Sequence, residues 1–286
     1  RGLGDVYKRQ ILLDRNELGA ARAGDYVIVL LPEQPGIRTR ARGIIVECLG
    51  APMAPGLEID VSIARYELPH VFSDECLKLV EDLGSEPSVQ DRKGRHDLRH
   101  LPLVTIDGED ARDFDDAVYC EKLKGGGYKL FVAIADVAHY VSLNSVLDEE
   151  AHQRATSVYF PGRVVPMLPE SISNGLCSLK PEVDRLCMVC EMQISARGEM
   201  LDFVFYEAVM HSHARLTYTE VAEVLGLLDR PARDGLKKRV KSLMPHLTEL
   251  YSLYEVLHQS RAVRGAIEFE TTETPVSYTH LTLPTS

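Results

Sequence analysis

The sequence predicts an α+β protein in which a small β-rich segment precedes a larger unit of strands and helices. Residues 11–66 contain short β-like runs separated by Gly-Asp and Pro-Gly dipeptides. From Asp97 onward the apolar runs are longer, and from Thr217 onward two helical patterns follow. Strand blocks combined with helices in this way indicate an α+β fold.

Composition places the chain among ordinary globular proteins. It has 286 residues, enough for one or two domains, with 45% hydrophobic and 26% charged residues. No apolar run approaches the roughly 20 residues that span a bilayer, so we expect a cytoplasmic protein without a membrane partner. The net charge of −11 weighs modestly against a nucleic-acid partner, although local basic patches could still bind a phosphate backbone.

Two strands are predicted in the first segment, Tyr26–Leu31 and Ile44–Cys48. Between them, Arg38, Arg40 and Arg42 alternate, so they fall on one face of an extended chain. One interpretation is a solvated edge strand that resists aggregation. The other is a basic stripe on a small β-barrel that contacts nucleic-acid phosphates. The residues alone favour the edge strand.

Changes in composition suggest where the units begin and end. Residues 67–96 form a connector, in which Ser73 is a candidate N-cap for a helix ending at Leu83. The first ten and last twelve residues differ in character from the rest and are expected to be non-native. The predicted organisation is a leader 1–10, a β-barrel segment 11–66, a connector 67–96, a larger unit 97–274 and a tail 275–286.

The larger unit opens with three predicted strands, Leu101–Ile106, Ala117–Cys120 and Tyr128–Val137, with a turn at Gly125–Gly127. Asp136 near the end of the third strand is a secondary site candidate, although an Asp there is more often a cap. Further on, we expect a helix at Leu147–Thr156.

Later in the unit, Leu186–Ile194 is expected to pair with Leu201–Val209. The six cysteines show no disulfide framework. Cys187 and Cys190 form a CxxC on a strand, where positions three apart face opposite sides, so reduced thiols are favoured over a zinc site.

The end of the chain carries the clearest helix signals. Thr217 and Glu220 form a capping box, followed by a helix to about Leu228. A second helix is predicted from an apolar or aromatic stripe with spacings of three and four. The stripe comprises residues 243, 247, 250, 254 and 257.

The most unusual stretch is the ten-residue segment from Asp107 to Asp116, in which six residues are acidic and only Arg112 is basic. It interrupts two apolar runs. An extended backbone turns Asp113 and Asp115 to one side, while Asp107 and Asp116 can join them if the chain loops. Crowded carboxylates next to a buried sheet are costly unless a cation neutralises them. Their oxygens suit one or two Mg²⁺ ions.

Other interpretations of the acidic segment are less favoured. An EF-hand loop does not fit the spacing, zinc would prefer His and Cys, and there is no nucleophile elbow. A solvated acidic loop without a ligand stays open as the structural alternative. Carboxylate-bound Mg²⁺ is a general solution to phosphodiester cleavage.

The segment Asp97–Ala117 resembles the signature of the ribonuclease II/ribonuclease R (RNB) family, and most closely the ribonuclease R members. The similarity covers roughly residues 11–274. It continues through Val132–Val137, Thr156–Pro161, Leu168–Leu179, Asp184–Glu191 and Ser212–Tyr218.

The resemblance implies 3′→5′ exoribonuclease chemistry with Mg²⁺, releasing 5′-mononucleotides from single-stranded RNA. It implies that Asp107, Asp113, Asp115 and Asp116 form the active site. It also implies that Tyr159 stacks on the 3′-terminal base. It also implies that residues 11–66 are part of a cold-shock-type OB barrel, which favours the three arginines as RNA contacts, ahead of an RNB-type catalytic domain of mixed sheet and helices.

Two departures from the family pattern bear on these expectations. Lys180 stands where an Asn is expected, and residues of the family's later catalytic segment have no counterpart here. We therefore expect a fragment that is not necessarily active. A non-catalytic RNA-binding module and a metal-binding structural protein are the alternatives. Protein partners are not predictable from the sequence.

Overall fold

The computed structural model describes residues 10–14, 18–33 and 41–266. The backbone contacts divide the chain into two compact units, Arg1–Val71 and Phe72–Ser286. None of the helices in the described ranges has the length and apolar character needed to cross a membrane.

In its described residues, the first unit contains a three-stranded sheet and one helix. The central strand of the sheet, β3, runs parallel to β1 and antiparallel to β2. Both predicted strands are confirmed. The elements are β1 Ile11–Leu13, β2 Tyr26–Leu30, β3 Ala41–Gly50 and α1 Leu57–Arg65.

The second unit is built on a seven-stranded mixed sheet in the order β12-β5-β6-β7-β10-β11-β4. Its central strands are antiparallel, while β12 and β4 add parallel to β5 and β11 at the edges. The strands are β4 His96–Asp97, β5 Val104–Asp107, β6 Asp116–Lys122, β7 Tyr128–Ala135, β10 Arg185–Ile194, β11 Met200–Met210 and β12 Ala214–Thr217. A separate hairpin is formed by β8 Val158–Phe160 and β9 Arg163–Val165.

Apolar side chains pack against both faces of this sheet at β6. In β6, Ala117 belongs to the largest buried cluster, whereas Val118 and Cys120 belong to smaller clusters that include residues of the last helix. Alternation of this kind is how a strand serves two layers. At the turn between β6 and β7, Gly127 has φ of 80°, and a Cβ there would meet the Ile194 carbonyl oxygen, so glycine is required.

Eight α-helices lie in the described ranges. Beyond α1 they are α2 Asp74–Leu83, α3 Val89–Arg92, α4 Val137–Tyr140, α5 Val146–Arg154, α6 Tyr218–Val224, α7 Asp234–Arg239 and α8 Met244–Val263. The predicted caps are confirmed: the Ser73 hydroxyl accepts from the Cys76 amide, and Thr217 and Glu220 form the reciprocal capping box.

The structure corrects three details of the sequence interpretation. Strand β7 ends at Ala135, because Asp136 caps helix α4. Helix α6 ends at Val224 rather than near Leu228, because Gly226 adopts a left-handed conformation that closes it. In α8, Tyr254 is exposed, and Leu253 takes the buried position that the predicted stripe gave to residue 254.

Candidate active site

The four aspartates lie where strands β5 and β6 separate. Asp107 is the last residue of β5 and Asp116 is the first residue of β6, while Asp113 and Asp115 belong to the segment that joins them. The two strands are antiparallel partners. The acidic segment is therefore a break between paired strands, as the flanking apolar runs predicted.

Phe114 anchors the middle of this segment. Its ring is buried, its amide donates to the Ser178 hydroxyl at 3.0 Å, and its carbonyl accepts from the Leu179 amide at 2.8 Å. The next residue is also held, since the Asp115 carbonyl accepts from the Ala135 amide of β7 at 2.9 Å. These bonds fix the backbone on both sides of the carboxylates.

The carboxylates interact electrostatically. The pKa of Asp107 is raised to about 6, first by burial and then by the negative charge of Asp116, with smaller increases from Asp113 and Asp115. Arg215 opposes this shift. The pKa of Asp115 is also raised, by burial and by its two acidic neighbours. Asp107 thus lies within range of the charge of the other three aspartates.

One carboxylate oxygen indicates what the group could bind. Asp107 Oδ2 is buried and has no hydrogen-bond partner, which is costly for an anionic oxygen unless a cation lies against it. Within the described ranges, no three acidic, His or Cys side chains are already arranged as a metal site. An ion would therefore draw the carboxylates together. The donor set of four carboxylates fits Mg²⁺.

Arg215 holds the backbone at the start of the acidic segment through hydrogen bonds. The sequence alone assigned no role to this residue. It lies on β12, the parallel neighbour of β5, and its Nη2 donates to the carbonyls of Gly108 at 3.1 Å and Glu109 at 2.7 Å. Its guanidinium carbon lies 5.6 Å from the centre of the Phe114 ring. The only sequence signal was its membership of the family-like stretch Ser212–Tyr218.

An open cleft of about 900 Å³ runs beside the acidic segment. Lys180, the residue that departs from the family pattern, lines this cleft. The cleft is lined by Glu109, Asp110, Ala111, Arg112, Phe114, Glu170, Asn174, Lys180, Pro181 and Arg215. Three acidic and three basic side chains line it, so its charge is mixed.

The remaining candidates are placed as follows. Tyr159 lies on the β8–β9 hairpin and is 58% exposed. Asp136 forms an ion pair with Arg95 at 2.7 Å and caps α4, so it serves as the predicted cap. Arg42 is an exposed residue of β3, whereas Arg38 and Arg40 lie outside the described residues.

Comparison with known families agrees with this architecture. The model of the RNB domain matches residues 95–282, and the model of a cold shock domain matches residues 5–73. The α+β expectation, with a cold-shock-like barrel ahead of an RNB-type sheet, is thereby confirmed.

Individual relatives point the same way. The chain is 53% identical to ribonuclease R of Vibrio cholerae serotype O1 over 265 residues, covering 92% of this chain and 32% of the relative. Ribonuclease R of Escherichia coli K12 is 51% identical with the same coverage. This chain therefore spans about a third of the curated relatives it matches.

Solved structures of RNase R have a similar fold at lower sequence identity. The structure of Mycoplasma genitalium RNase R in complex with ribose methylated single-stranded RNA superposes with a TM-score of 0.81 at 27% identity. The match covers 92% of this chain and 40% of that one. On the match of the RNB domain model to most of its length, the chain belongs to the RNB domain family.

Proposed function

We propose that this chain carries part of the catalytic domain of a 3′→5′ exoribonuclease that hydrolyses single-stranded RNA to 5′-mononucleotides. Membership of the RNB family and similarity to proteins named ribonuclease R support the reaction class. The RNA in the Mycoplasma genitalium complex supports the substrate class. Because the relatives are about three times as long, the activity of the whole protein is part of the proposal.

The observation that carries the proposal is the buried oxygen of Asp107 without a hydrogen-bond partner, among three further aspartates. We assign Asp107, Asp113 and Asp116 to holding Mg²⁺. Asp115 either holds metal or orients the attacking water. Bound Mg²⁺ would supply positive charge that lowers the pKa of a water and stabilises the departing 3′-oxygen.

Substrate contacts are assigned to residues other than the carboxylates. The exposed ring of Tyr159 provides a stacking surface for the 3′-terminal base, which is sequence-tolerant because every base has a π-face. Arg42, with Arg38 and Arg40, would contact the phosphates from the first unit. We assign residues 11–66 to the cold-shock-type barrel and 97–274 to the catalytic unit.

We also propose a cytoplasmic location. All six cysteines are free thiols, and five of them have raised pKa values, mainly because burial disfavours the thiolate. Free thiols in the absence of disulfides are typical of a reducing compartment.

The direct test is digestion of a 3′-labelled single-stranded RNA, with Mg²⁺, by the full-length protein that contains this chain. We expect label to leave as mononucleotide, and we expect EDTA to stop its release. A change in RNA mobility without release would favour a non-catalytic RNA-binding module. A melting temperature that responds to Mg²⁺ but not to RNA would favour a structural metal site.

A matched variant assigns the activity to the site. Asp115→Asn is nearly the same size and retains the backbone bond to Ala135, so the fold should be unaffected. We expect hydrolysis to be abolished and RNA binding to change by less than about twofold. Equal loss of hydrolysis and binding would contradict a catalytic role for Asp115.

A further inference from the structure

A short segment behind the acidic loop holds it in place through one buried hydroxyl. Ser178 follows a π-helical turn at Ser171–Leu176, and the residue is 0% exposed. Its hydroxyl accepts from the Phe114 amide at 3.0 Å and donates to the Arg112 carbonyl at 3.4 Å. Both the donor and the acceptor capacity of the hydroxyl are therefore used.

These two bonds fall on either side of Asp113. They fix the peptide that joins Arg112 to Asp113 and the peptide that joins Asp113 to Phe114. Phe114 in turn directly precedes Asp115. Because Ser178 comes from a segment 64 residues away from Phe114 in sequence, the bonds are tertiary and not part of the loop's own geometry. A rigid backbone is what allows carboxylates to be presented in a fixed arrangement.

Ser178 is itself held by a buried arginine. Arg185 is 4% exposed, and it donates from Nε to the Ser178 carbonyl at 2.9 Å, from Nη2 to the Gly175 carbonyl at 3.1 Å and from Nη1 to the Asp184 carbonyl at 2.8 Å. These partners are backbone carbonyls. The planar guanidinium donates to the three carbonyls from three different nitrogens in one rigid plane, a geometry that the single ammonium nitrogen of a lysine does not offer.

The choice of a cation at this position needs an explanation beyond stability. Burial lowers the pKa of Arg185, which reflects the free-energy cost of keeping a charge away from water. An apolar side chain of similar volume would often stabilise a core at least as well. A buried arginine that binds only carbonyls in its described contacts is better explained by the geometry that it imposes on the 175–178 segment.

We propose that Ser178 and Arg185 are positioning residues that hold the acidic loop in the arrangement needed to bind a divalent cation. This inference rests on the proposed function, because it presumes that the aspartates are metal ligands. Arg185 fixes the segment, the segment places the Ser178 hydroxyl, and the hydroxyl fixes the backbone around Asp113.

The test is Mn²⁺ affinity, measured by electron paramagnetic resonance on the full chain, with Mn²⁺ as the spectroscopic substitute for Mg²⁺. We expect Ser178→Ala to weaken Mn²⁺ binding by about tenfold, the scale typical of residues that orient metal ligands. The matched control is Ser212→Ala. Ser212 is equally buried and its hydroxyl donates to the Ala214 carbonyl at 2.9 Å, so its loss removes a comparable bond away from the acidic loop.

The outcomes separate this inference from the proposed function. A Ser178→Ala variant that binds Mn²⁺ as tightly as Ser212→Ala overturns the positioning role while leaving the metal site intact. Absence of saturable Mn²⁺ binding by the unmodified chain overturns the metal site, and the positioning role with it. A tenfold loss confined to Ser178→Ala supports both.

Amide hydrogen exchange on the unmodified chain tests the same contact without a substitution that could unfold the protein. We expect the Phe114 amide to be protected as strongly as the Ala135 amide of the sheet, while the exposed Glu109 and Asp110 amides exchange rapidly. Exchange of the Phe114 amide at the rate of the Glu109 amide would overturn the proposed positioning role of the Ser178 hydroxyl.

Discussion

A carboxyl group whose pKa is raised by burial and by neighbouring negative charges makes the stability of a protein depend on pH. The pKa of Asp107 is about 6 in the folded chain and 3.8 for an unperturbed aspartate. Since the folded value is raised, the contribution of Asp107 to stability is fully present below about pH 4. It is lost as the pH rises through 6.

We therefore expect the free energy of unfolding in EDTA to fall more steeply for the unmodified chain than for Asp107→Asn as the pH is raised from about 4 to about 7. Urea denaturation at a series of pH values measures the difference. Adding Mn²⁺ at neutral pH should stabilise the unmodified chain more than the variant. Parallel pH profiles in EDTA would show that Asp107 is not the buried, repelled carboxylate described above.

Tyr159 provides a second prediction at the residue scale. Since its ring is 58% exposed, Tyr159→Ala should change the free energy of unfolding by less than about 0.5 kcal/mol. If the ring stacks on a base, single-stranded RNA should bind more weakly by about 1–3 kcal/mol. Fluorescence anisotropy with a labelled oligonucleotide measures this loss.

The matched control for Tyr159 is Tyr254→Ala, on the last helix. Tyr254 is 57% exposed, so the two substitutions remove the same aromatic area from solvent-accessible positions. The Tyr254 variant should bind RNA like the unmodified chain. Similar RNA affinities for the two variants would remove Tyr159 from the substrate site.

At the junction of β12 and α6, the residue that caps a helix is paired with a residue of the candidate active site. Thr217 ends β12 opposite Asp107 of β5, and its hydroxyl accepts from the Glu220 amide at 3.1 Å. Thr217→Ala should destabilise the chain by about 1 kcal/mol, because the first turn of α6 loses its cap. Thr217→Ser retains the hydroxyl and should restore most of the loss. Equal destabilisation by both would attribute the effect to the lost methyl packing.

Elements with local signals could be predicted from the sequence. The capping box at Thr217, the N-cap at Ser73 and the glycine turn between β6 and β7 each depend on neighbouring residues alone, and the structure has all three. The acidic break between β5 and β6 was predictable for the same reason, since apolar runs flank it directly.

Features that depend on tertiary neighbours could not be predicted in this way. Arg215 lies more than a hundred residues from the carbonyls it binds, and Ser178 comes from a segment that reads only as small and polar. Tyr254 was misassigned because α8 packs against two separate apolar clusters, so no single stripe describes its buried side. Local periodicity cannot show which neighbour a helix meets.

At the scale of the whole molecule, the acidic site and the basic residues proposed to meet RNA belong to different units. The four aspartates, with Phe114 and its partners, all lie in the unit from Phe72, whereas the predicted arginine stripe lies in the unit that ends at Val71. A chain with a net charge of −11 gains nothing from its overall field when it binds a polyanion. Local cations must supply the attraction.

Removing residues 1–71 should therefore separate metal binding from RNA binding. The buried cluster around Phe114 contains only residues of the second unit, so the 72–286 chain should fold and bind Mn²⁺ with an affinity within about twofold of the full chain. Loss of three arginine contacts should lower the slope of log affinity against log salt by about 2 for single-stranded RNA. Titration of a labelled oligonucleotide at several salt concentrations measures the slope. An unchanged slope, with Mn²⁺ binding intact, would show that the first unit does not contact the RNA backbone.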